Sequence, residues 1–391
     1  MPEALIVDAT RSPWGKFGGG LKDYSAAEMA SYLIRTLVER NSIDPESVEN
    51  VILGQVLQAG AGQLPARQAL IHAGLPVTTP GLLINKVCAS GMRAVTLAGQ
   101  LIRASENDIV LAGGMESMSN TPYYDMQTRW GARMGDKTLV DGMVHDGLWC
   151  AFDDVHMANQ GDDLAAQREI SRQEMDEWSV MSQQRWGAAF ERGYFDREVT
   201  PMPNKRNPNH MALTKDESPR PNSTAERLAQ IATVWGTKAI TAGNAPGVND
   251  GAAVLVVTSE EGAARMQAKP IARIIGHAEV ATRPAEFPLA SALAIQKVLK
   301  KAGLTLDDLS VIEVNEAFAA VPLICAQELN WDPAKVNRHG GSVAMGHPIG
   351  ASGARLTMTV AYQLQELGGG YGVAAICSGT GQGDAILLQA M

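Results

Sequence analysis

The sequence is poor in aromatic residues and in cysteine. Phe, Trp and Tyr make up 5% of the 391 residues, whereas apolar residues in total make up 45%, so the core must be built from aliphatic and small side chains. The four cysteines follow no zinc-binding spacing, and a chain of this size needs no disulfide framework. These features predict a protein of the reducing cytoplasm, in which each cysteine is either a buried apolar residue or a reactive thiol.

Basic charge and long apolar runs are also scarce. The chain has 33 Lys and Arg against 42 Asp and Glu, a net charge of −9, which argues against a nucleic-acid partner. No stretch approaches the roughly 18 consecutive apolar residues of a membrane span. The segment Met1–Pro13 leads directly into a strand-like run without the layout of a signal peptide. We therefore expect no nucleic-acid partner, no membrane partner and a cytoplasmic location.

One β–α–β-rich pattern occurs twice in the chain. Each copy has a segment leading to a reactive side chain, then a helix, then a strand: Leu82–Val87, Cys88, Ala89–Ala104 and Asp108–Gly113 in the first copy, and Val343–Gly346, His347, Ala351–Leu367 and Gly372–Cys377 in the second. The repetition predicts an α/β fold of two similar halves, with mixed or parallel sheets covered by helices.

The region between the two copies differs in composition and predicts an inserted loop domain. We assign 1–118 to the first part of the N-terminal half, 119–245 to the insertion, 246–269 to the return into the N-terminal half, and 270–391 to the C-terminal half. Within the insertion, residues 201–240 carry six Lys and Arg against three Asp and Glu. This excess suggests a docking patch for a phosphate-bearing ligand, although a solvated loop face explains it equally well.

Cys88 and His347 are the side chains most suited to chemistry. Cys88 is predicted between a strand and a helix, where free N–H groups and the helix dipole would lower the thiol pKa below its usual value of about 8.5. His347 lies in the glycine-rich stretch Val336–Arg355, again between a predicted strand and a helix. Pseudo-symmetric packing of the two copies would bring Cys88, His347 and Cys377 towards one point. A buried inert cysteine and an incidental histidine remain the alternatives at this level.

Four dispersed motifs resemble the signatures of the thiolase family. They are Asn85–Met92 (NKVCASGM), Asn315–Ala319 (NEAFA), His339–Arg355, and Cys377 with the glycines that follow it. The resemblance runs the whole length of the chain. It implies an acyltransferase that condenses two acetyl-CoA molecules reversibly into acetoacetyl-CoA and CoA through an acyl-cysteine intermediate. It also implies two βαβαβ-type halves with a loop domain inserted in the first, a role in fatty-acid and lipid metabolism, and neither a metal nor a resident cofactor.

The resemblance also implies a role for each reactive group. Cys88 would be the nucleophile and His347 the base that deprotonates it. Cys377 would be the second base, which moves the α-proton of acetyl-CoA. His347 and a water held by Asn315 would form one oxyanion hole, and the backbone N–H groups of Cys88 and Gly379 a second.

The residues implied to contact acyl-CoA lie mainly in the insertion. They are Leu148, His156, Met157, Arg220, Ala245, Gly247, Phe318 and Ile349. The pair His156-Met157 favours the short-chain, acetoacetyl-CoA type of thiolase, and Arg220 resembles the contact with the CoA nucleotide. The family resemblance further implies a homodimer or homotetramer.

The chain also departs from the family pattern. Thr380, Pro246, Ala158 and His339 stand where glycine, serine, glycine and asparagine are usual; these changes bear on acyl preference and CoA affinity. One alternative is a degradative 3-ketoacyl-CoA thiolase of broader chain length. A decarboxylating ketoacyl synthase fits Cys377 and the NEAF motif less well. A non-catalytic acyl-CoA-binding homologue would have no need of the reactive groups.

Overall fold

Both halves of the chain contribute to one mixed β-sheet. The computed structural model describes all 391 residues. From one edge to the other, the strands of the sheet are Gly81–Ile84, Asn50–Gly54, Ile109–Ser117, Asn249–Thr258, Leu5–Arg11, Ala272–Ala281, Gln382–Ala390, Tyr371–Ser378 and Leu309–Val314. The short strand Gly15–Lys16 pairs with Asn249–Thr258. Within this sheet the strands of the two halves pair with each other only at Leu5–Arg273 and Ile6–Ala272, so apart from this junction the strands of each half form a sheet of their own.

The two halves share a strand order, which confirms the predicted fold class. In each half, the strand that comes first in the chain lies at the junction with the other half, and the strand that comes last in the chain pairs with that first strand. A parallel pair follows towards the outer edge, formed by Ile109–Ser117 with Asn50–Gly54 and by Tyr371–Ser378 with Leu309–Val314. The N-terminal half adds the edge strand Gly81–Ile84, whereas the C-terminal half has a single parallel bridge at Val336 in this place.

The predicted strand before His347 is wrong. Residues 342–345 form a short helix, Ser342–Met345, because the backbone N–H of Val343 donates to the buried Glu316 carboxylate (2.9 Å) instead of to a neighbouring strand. Short apolar runs fit either structure, and sequence alone does not separate them. The strand before Cys88 likewise ends at Ile84, three residues earlier than predicted.

Side chains alternate across the sheets and build three separate apolar cores. In the strand Ile109–Ser117, Ala112 faces the central core and Leu111 an outer one. Cys377, near the end of Tyr371–Ser378, faces the outer core of its own half. The fold is therefore a stack of two sheets between three layers of helices. The helices are Ala26–Arg40 and Pro65–Ala73 outside the first sheet, Ser90–Arg103 and Ile349–Leu367 between the sheets, and Ala290–Ala302 and Ala320–Leu329 outside the second.

The two central helices approach each other closely where they begin. A Cβ atom on Gly91 would lie 2.7 Å from the carbonyl oxygen of Gly350, and one on Gly114 would lie 2.0 Å from it. Only glycine fits contacts of this length. Cys88 and His347 each lie two residues before the first residue of their helix, so the glycine contacts bring both turns to one place. No helix in the structure is both long and apolar enough to cross a membrane.

The inserted segment packs onto the C-terminal half through a buried carboxylate. Its helices are Met157–Gln167, Arg172–Glu191 and Ala225–Ala229, with two-stranded pairs Tyr123–Tyr124/Val140–Asp141, Trp149–Cys150/Val155–His156 and Met202–Pro203/Met211–Leu213. Trp178 and Ser182 donate to Glu316 at 2.9 Å each. The motif residue Glu316 thus ties the insertion to the C-terminal half, while the predicted segment boundaries remain predictions.

Candidate active site

A largely apolar cavity of about 280 Å³ opens at the start of the two central helices. Its wall includes both Cys88 and His347. It also includes seven of the residues predicted to contact acyl-CoA: Leu148, His156, Met157, Ala245, Gly247, Phe318 and Ile349. Cys377, Asn315 and Gly379 do not line the cavity and are buried next to it. The fold therefore brings the insertion, the Cys88 turn and the His347 turn around one space.

The turn that carries Cys88 is held in an unusual backbone conformation. Val87 has φ of +48°, a region that β-branched residues rarely adopt. Its N–H donates to Asn85 Oδ1 (3.0 Å), and its carbonyl accepts from Ser90 Oγ (2.6 Å). Ser378, from the C-terminal half, bonds to the same turn at Lys86 and Ala89. These contacts point the Cys88 side chain into the cavity instead of into the helix.

Burial governs the chemistry of the Cys88 thiol. Cys88 is 4% exposed, and this burial raises the pKa of its thiol to about 12. The N–H groups of Gly379 and Cys88 itself act in the opposite direction at the sulfur but are outweighed. The lowered pKa expected at a helix N-terminus is therefore wrong in direction. Cys88 is a neutral thiol in the free protein and needs a base at the moment of attack.

His347 presents an unprotonated nitrogen to the site. Its Nδ1 lies 2.6 Å from Ser352 Oγ, and that hydroxyl donates to the Pro348 carbonyl at 3.0 Å. Since a hydroxyl has one hydrogen, Nδ1 must carry the proton and Nε2 must keep its lone pair. Burial and the charge of Arg355 lower the pKa of His347 to about 3. A neutral imidazole with a free Nε2 can accept the proton of a thiol.

Asn315 is oriented by a chain of buried polar groups that was not predicted. Its Oδ1 accepts from Ser342 Oγ (2.8 Å), so its Nδ2 is the atom that faces His347 Nε2 at 3.4 Å. Ser342 accepts in turn from Arg355 (3.2 Å), and Arg355 pairs with the buried Glu313 (3.3 Å). The chain selects one orientation of the amide, with N–H groups directed at the site.

Cys377 and Gly379 follow one another at the end of a buried strand. Cys377 is fully buried, and burial, together with the proximity of Cys88, raises the pKa of its thiol well above the usual value. A Cβ atom on Gly379 would lie 3.3 Å from both Met157 Sδ and Val87 Cγ1. The backbone of this turn therefore packs directly against the cavity wall and the nucleophile turn.

Trp235 is a wall residue that sequence reasoning missed. Its ring stacks on His156, with centroids 4.2 Å apart and planes 7° from parallel, and it lines the cavity from a backbone with φ of +53°. His156 Nδ1 accepts from the Ala158 N–H at 3.1 Å, and its Nε2 is buried without a partner. The other wall residues that were not predicted are Met118, Gly147, Ala158, Val234, Thr241, Ala242, Pro246, Ala317 and Val248. For Thr241, Ala242 and Pro246, the sequence signal was their proximity to the predicted contacts Ala245 and Gly247, and Ala158 follows the predicted contact Met157.

Arg220 and the basic segment around it lie outside the cavity. Arg220 is exposed, and its backbone N–H donates to Gln183 (2.6 Å). Lys205 pairs with Glu28 at 2.6 Å, and Asp216 is buried against Arg11, also at 2.6 Å. Of the six basic side chains of this segment, only Lys205 and Arg206 form ion pairs, with Glu28 and Asp23, and both the docking patch and the nucleotide contact of Arg220 remain predictions.

The other two cysteines take no part in this site. Cys150 and Cys325 are buried and unbonded, and Cys325 lies in the outer core of the C-terminal half. No group of three or more His, Cys, Asp or Glu side chains is arranged to hold a metal ion. The site itself offers a nucleophile, a base and N–H donors around one sulfur, the set required for acyl transfer to a thiol.

Comparison with known proteins agrees with this class of chemistry. Residues 4–261 match the family model "Thiolase, N-terminal domain", and residues 268–390 match "Thiolase, C-terminal domain". The acetyl-CoA acetyltransferase of Chromobacterium violaceum is 45% identical over 391 residues, covering 99% of each chain. The chain belongs to the thiolase family.

Solved structures agree as well. The crystal structure of the Bacillus anthracis acetyl-CoA acetyltransferase has a TM-score of 0.96 and 38% identity, and covers 100% of this chain and 99% of its own. Human mitochondrial 3-ketoacyl-CoA thiolase in complex with CoA has a TM-score of 0.96 and 37% identity, with 100% and 98% covered. The whole fold, including the insertion, is therefore shared with members of the family.

Proposed function

We propose that this protein is an acetyl-CoA C-acetyltransferase, which condenses two acetyl-CoA molecules into acetoacetyl-CoA and CoA and catalyses the reverse thiolysis. The observation that carries the proposal is the shared cavity of Cys88 and His347, with His347 Nε2 unprotonated and the Gly379 turn packed against Val87 beside the nucleophile. The relatives named acetyl-CoA acetyltransferase, 41% or more identical over nearly their full length, support the substrate.

In the first half-reaction, Cys88 takes the acetyl group from acetyl-CoA. As the sulfur attacks the thioester carbon, its proton passes to His347 Nε2. The oxygen becomes negative in the tetrahedral intermediate and is stabilised by the N–H groups of Cys88 and Gly379. The C–S bond to CoA then breaks, and the departing CoA thiolate takes the proton of Cys377, which leaves a Cys377 thiolate, while His347 Nε2 keeps the proton that it took from Cys88. The products are acetyl-Cys88 and free CoA.

In the second half-reaction, the Cys377 thiolate removes an α-proton from another acetyl-CoA and becomes a thiol again. The carbanion attacks the acetyl-Cys88 carbonyl, a C–C bond forms, and the Cys88 sulfur leaves as the thiolate, which regains its proton from His347 Nε2. His347 and a water bound by the Asn315 amide would stabilise the enolate oxygen. Support for this role is the orientation of Asn315 Nδ2 towards His347. CoA is a substrate and product in both steps, and neither step uses a resident cofactor.

The dimensions of the cavity support a short acyl group. About 280 Å³ is shared between the acyl group and the pantetheine arm, and Met157 packs near Gly379, beside the reacting sulfur. The second candidate is a 3-ketoacyl-CoA thiolase of broader chain length. The equal TM-score of the human mitochondrial 3-ketoacyl-CoA thiolase favours keeping that candidate in the test.

Intact-mass measurement after incubation with acetyl-CoA tests the mechanism. We expect one acetyl adduct on the wild-type protein and none on Cys88→Ala. Cys325→Ala, which removes a buried thiol from the outer core, is the matched control and should keep the adduct. An adduct that persists in Cys88→Ala, or none on the wild type, would refute the mechanism. Thiolysis rates for 3-ketoacyl-CoAs of four to ten carbons then decide the chain length, and a preference for the longer substrates would favour the second candidate.

The assembly and the location of the protein are also proposals. We infer a homodimer or homotetramer, a cytoplasmic location and a role in fatty-acid and lipid metabolism, on the strength of the family and of the bacterial relatives. Light scattering on the protein as it elutes from a size-exclusion column measures the mass of the assembly directly. A monomeric mass would contradict the inferred homodimer or homotetramer.

A further inference from the structure

We infer that Ser378 is a positioning residue, whose hydroxyl holds the Cys88 turn and the Gly379 turn in register for acyl transfer. The inference rests on the proposed function, because it concerns the same nucleophile. Its basis is a pair of hydrogen bonds that join the two halves of the chain beside the reacting sulfur.

The Ser378 hydroxyl bonds to both sides of the nucleophile. It donates to the Lys86 carbonyl at 2.6 Å and accepts from the Ala89 N–H at 2.9 Å. These two groups flank Val87 and Cys88. Ser378 is fully buried, so no solvent molecule competes for either bond. One hydroxyl thus fixes the backbone on both sides of the reacting residue.

The other side-chain hydrogen bonds to the backbone of this turn are local to it. Asn85 and Ser90 bond to the backbone of Lys86 and Val87 within the same few residues. They preserve the shape of the turn but cannot set its position relative to the C-terminal half. A strained residue such as Val87 at φ +48° keeps its conformation only where its surroundings determine it fully. Ser378 supplies the hydrogen bonds to the backbone of the turn that come from the opposite half.

Ser378 also lies between two groups of the proposed mechanism in the chain. Cys377 precedes it, and Gly379, whose backbone packs against Val87 beside the nucleophile, follows it. Any shift of the Ser378 backbone relative to Lys86 therefore moves the Gly379 N–H away from the position of the developing oxyanion. Misplacement of one such donor lowers the rate of acyl transfer by about 10- to 100-fold.

A second contact between the halves keeps the fold when Ser378 is changed. The Lys86 ammonium pairs with Asp384, at 2.9 Å, and with Glu279. Ser378→Ala should consequently fold and bind CoA but lose the fixed position of the Cys88 turn relative to the Gly379 turn. The matched control is Ser179→Ala, which removes an equally buried hydroxyl that donates to the Met175 carbonyl (2.7 Å) in a helix of the insertion.

The test compares the wild type, Ser378→Ala and Ser179→Ala in two measurements. Quenched-flow mass spectrometry gives the rate of acetyl transfer to Cys88, and we expect a fall of about 10- to 100-fold in Ser378→Ala only, with KM for CoA within about threefold. Hydrogen–deuterium exchange of the peptide 85–92 should become at least about tenfold faster in Ser378→Ala and stay unchanged in Ser179→Ala.

The outcomes distinguish a failure of the role of Ser378 from a failure of the proposed function. Equal rates of acetyl transfer in the wild type and Ser378→Ala, or an equal fall in both variants, would overturn the role of Ser378. A wild-type protein without any acetyl adduct would refute the proposed function instead. In that case exchange of the peptide 85–92 still decides whether Ser378 holds the turn, since this measurement does not depend on catalysis.

Discussion

The buried thiol of Cys88 leads to a quantitative prediction about its reactivity towards an alkylating reagent. The perturbation is pH, raised from 7 to 11 in the presence of iodoacetamide, which reacts with thiolate and not with thiol. Burial raises the pKa of Cys88 to about 12. Because the folded pKa lies above the whole range, the thiolate fraction should increase about tenfold with each pH unit and reach no plateau.

The magnitude follows from the two pKa values. At pH 8 a thiol of pKa about 12 is ionised in roughly one molecule in ten thousand, whereas a free cysteine of pKa about 8.5 is ionised in roughly a quarter. Native Cys88 should therefore react about a thousandfold more slowly than the same residue in the unfolded chain. The unfolded chain in urea provides the control, since it has the same sequence without the burial.

Peptide mass spectrometry at timed quenches gives the alkylation rate of Cys88 separately from the other three cysteines. A linear rise of log rate with pH up to about 10 is the expected profile. A plateau near pH 8 to 9 would show that the N–H groups at the sulfur outweigh burial. The resting state would then contain a thiolate, and the role of His347 as the base for Cys88 would fail.

Two further predictions concern groups around the site. Ser342→Ala removes the hydroxyl that orients Asn315, so we expect kcat for thiolysis to fall about 3- to 10-fold. Because the amide oxygen of Asn315 loses its partner, the free energy of unfolding should drop by about 1–3 kcal/mol. An unchanged kcat in steady-state assays would contradict this role of Ser342. Thr380→Gly removes the strain of a β-branched residue held at φ +70°. Because this strain exceeds the entropic cost of glycine, we expect the free energy of unfolding, measured in urea, to increase by about 0.5–1 kcal/mol. A decrease would count against strain in this turn.

Both groups that react first, the Cys88 thiol and the His347 imidazole, are neutral in the free protein. Burial lowers the pKa of His347 to about 3 while it raises that of Cys88, so both remain uncharged between about pH 5 and 9. The site thus avoids the cost of a buried ion pair in the free protein. The proton moves only when the attack on the thioester creates charge that the N–H donors can stabilise.

Much of the local structure could be predicted from the sequence. The helix over Ala26–Arg40 follows from its apolar spacing, and it begins with a capping box formed by Ser25 and Glu28. The strand ending at Cys377 and the long helix after His347 were placed to within one or two residues. The motifs around Cys88, Asn315, His347 and Cys377 identified the family, because a short motif carries its chemistry in the residues themselves.

The tertiary structure decided what no local pattern encodes. The short helix Ser342–Met345 forms because Glu316 accepts the Val343 N–H, and the sequence separation of that pair offers no local signal. The direction of the Cys88 pKa shift depends on the depth of burial, which only the packed layers determine.

The amino-acid sequence alone specifies which atoms are available for the reaction. Cysteine, histidine and asparagine appear in recognisable motifs, and the repeat indicated that two helix starts would meet. The orientation of those atoms comes from the packing of distant segments, which sets the proton on His347 Nδ1, the rotation of the Asn315 amide and the link from Ser378 to the Cys88 turn. Each depends on hydrogen bonds between residues that are distant in the chain, and such bonds exist only once the two halves have packed together.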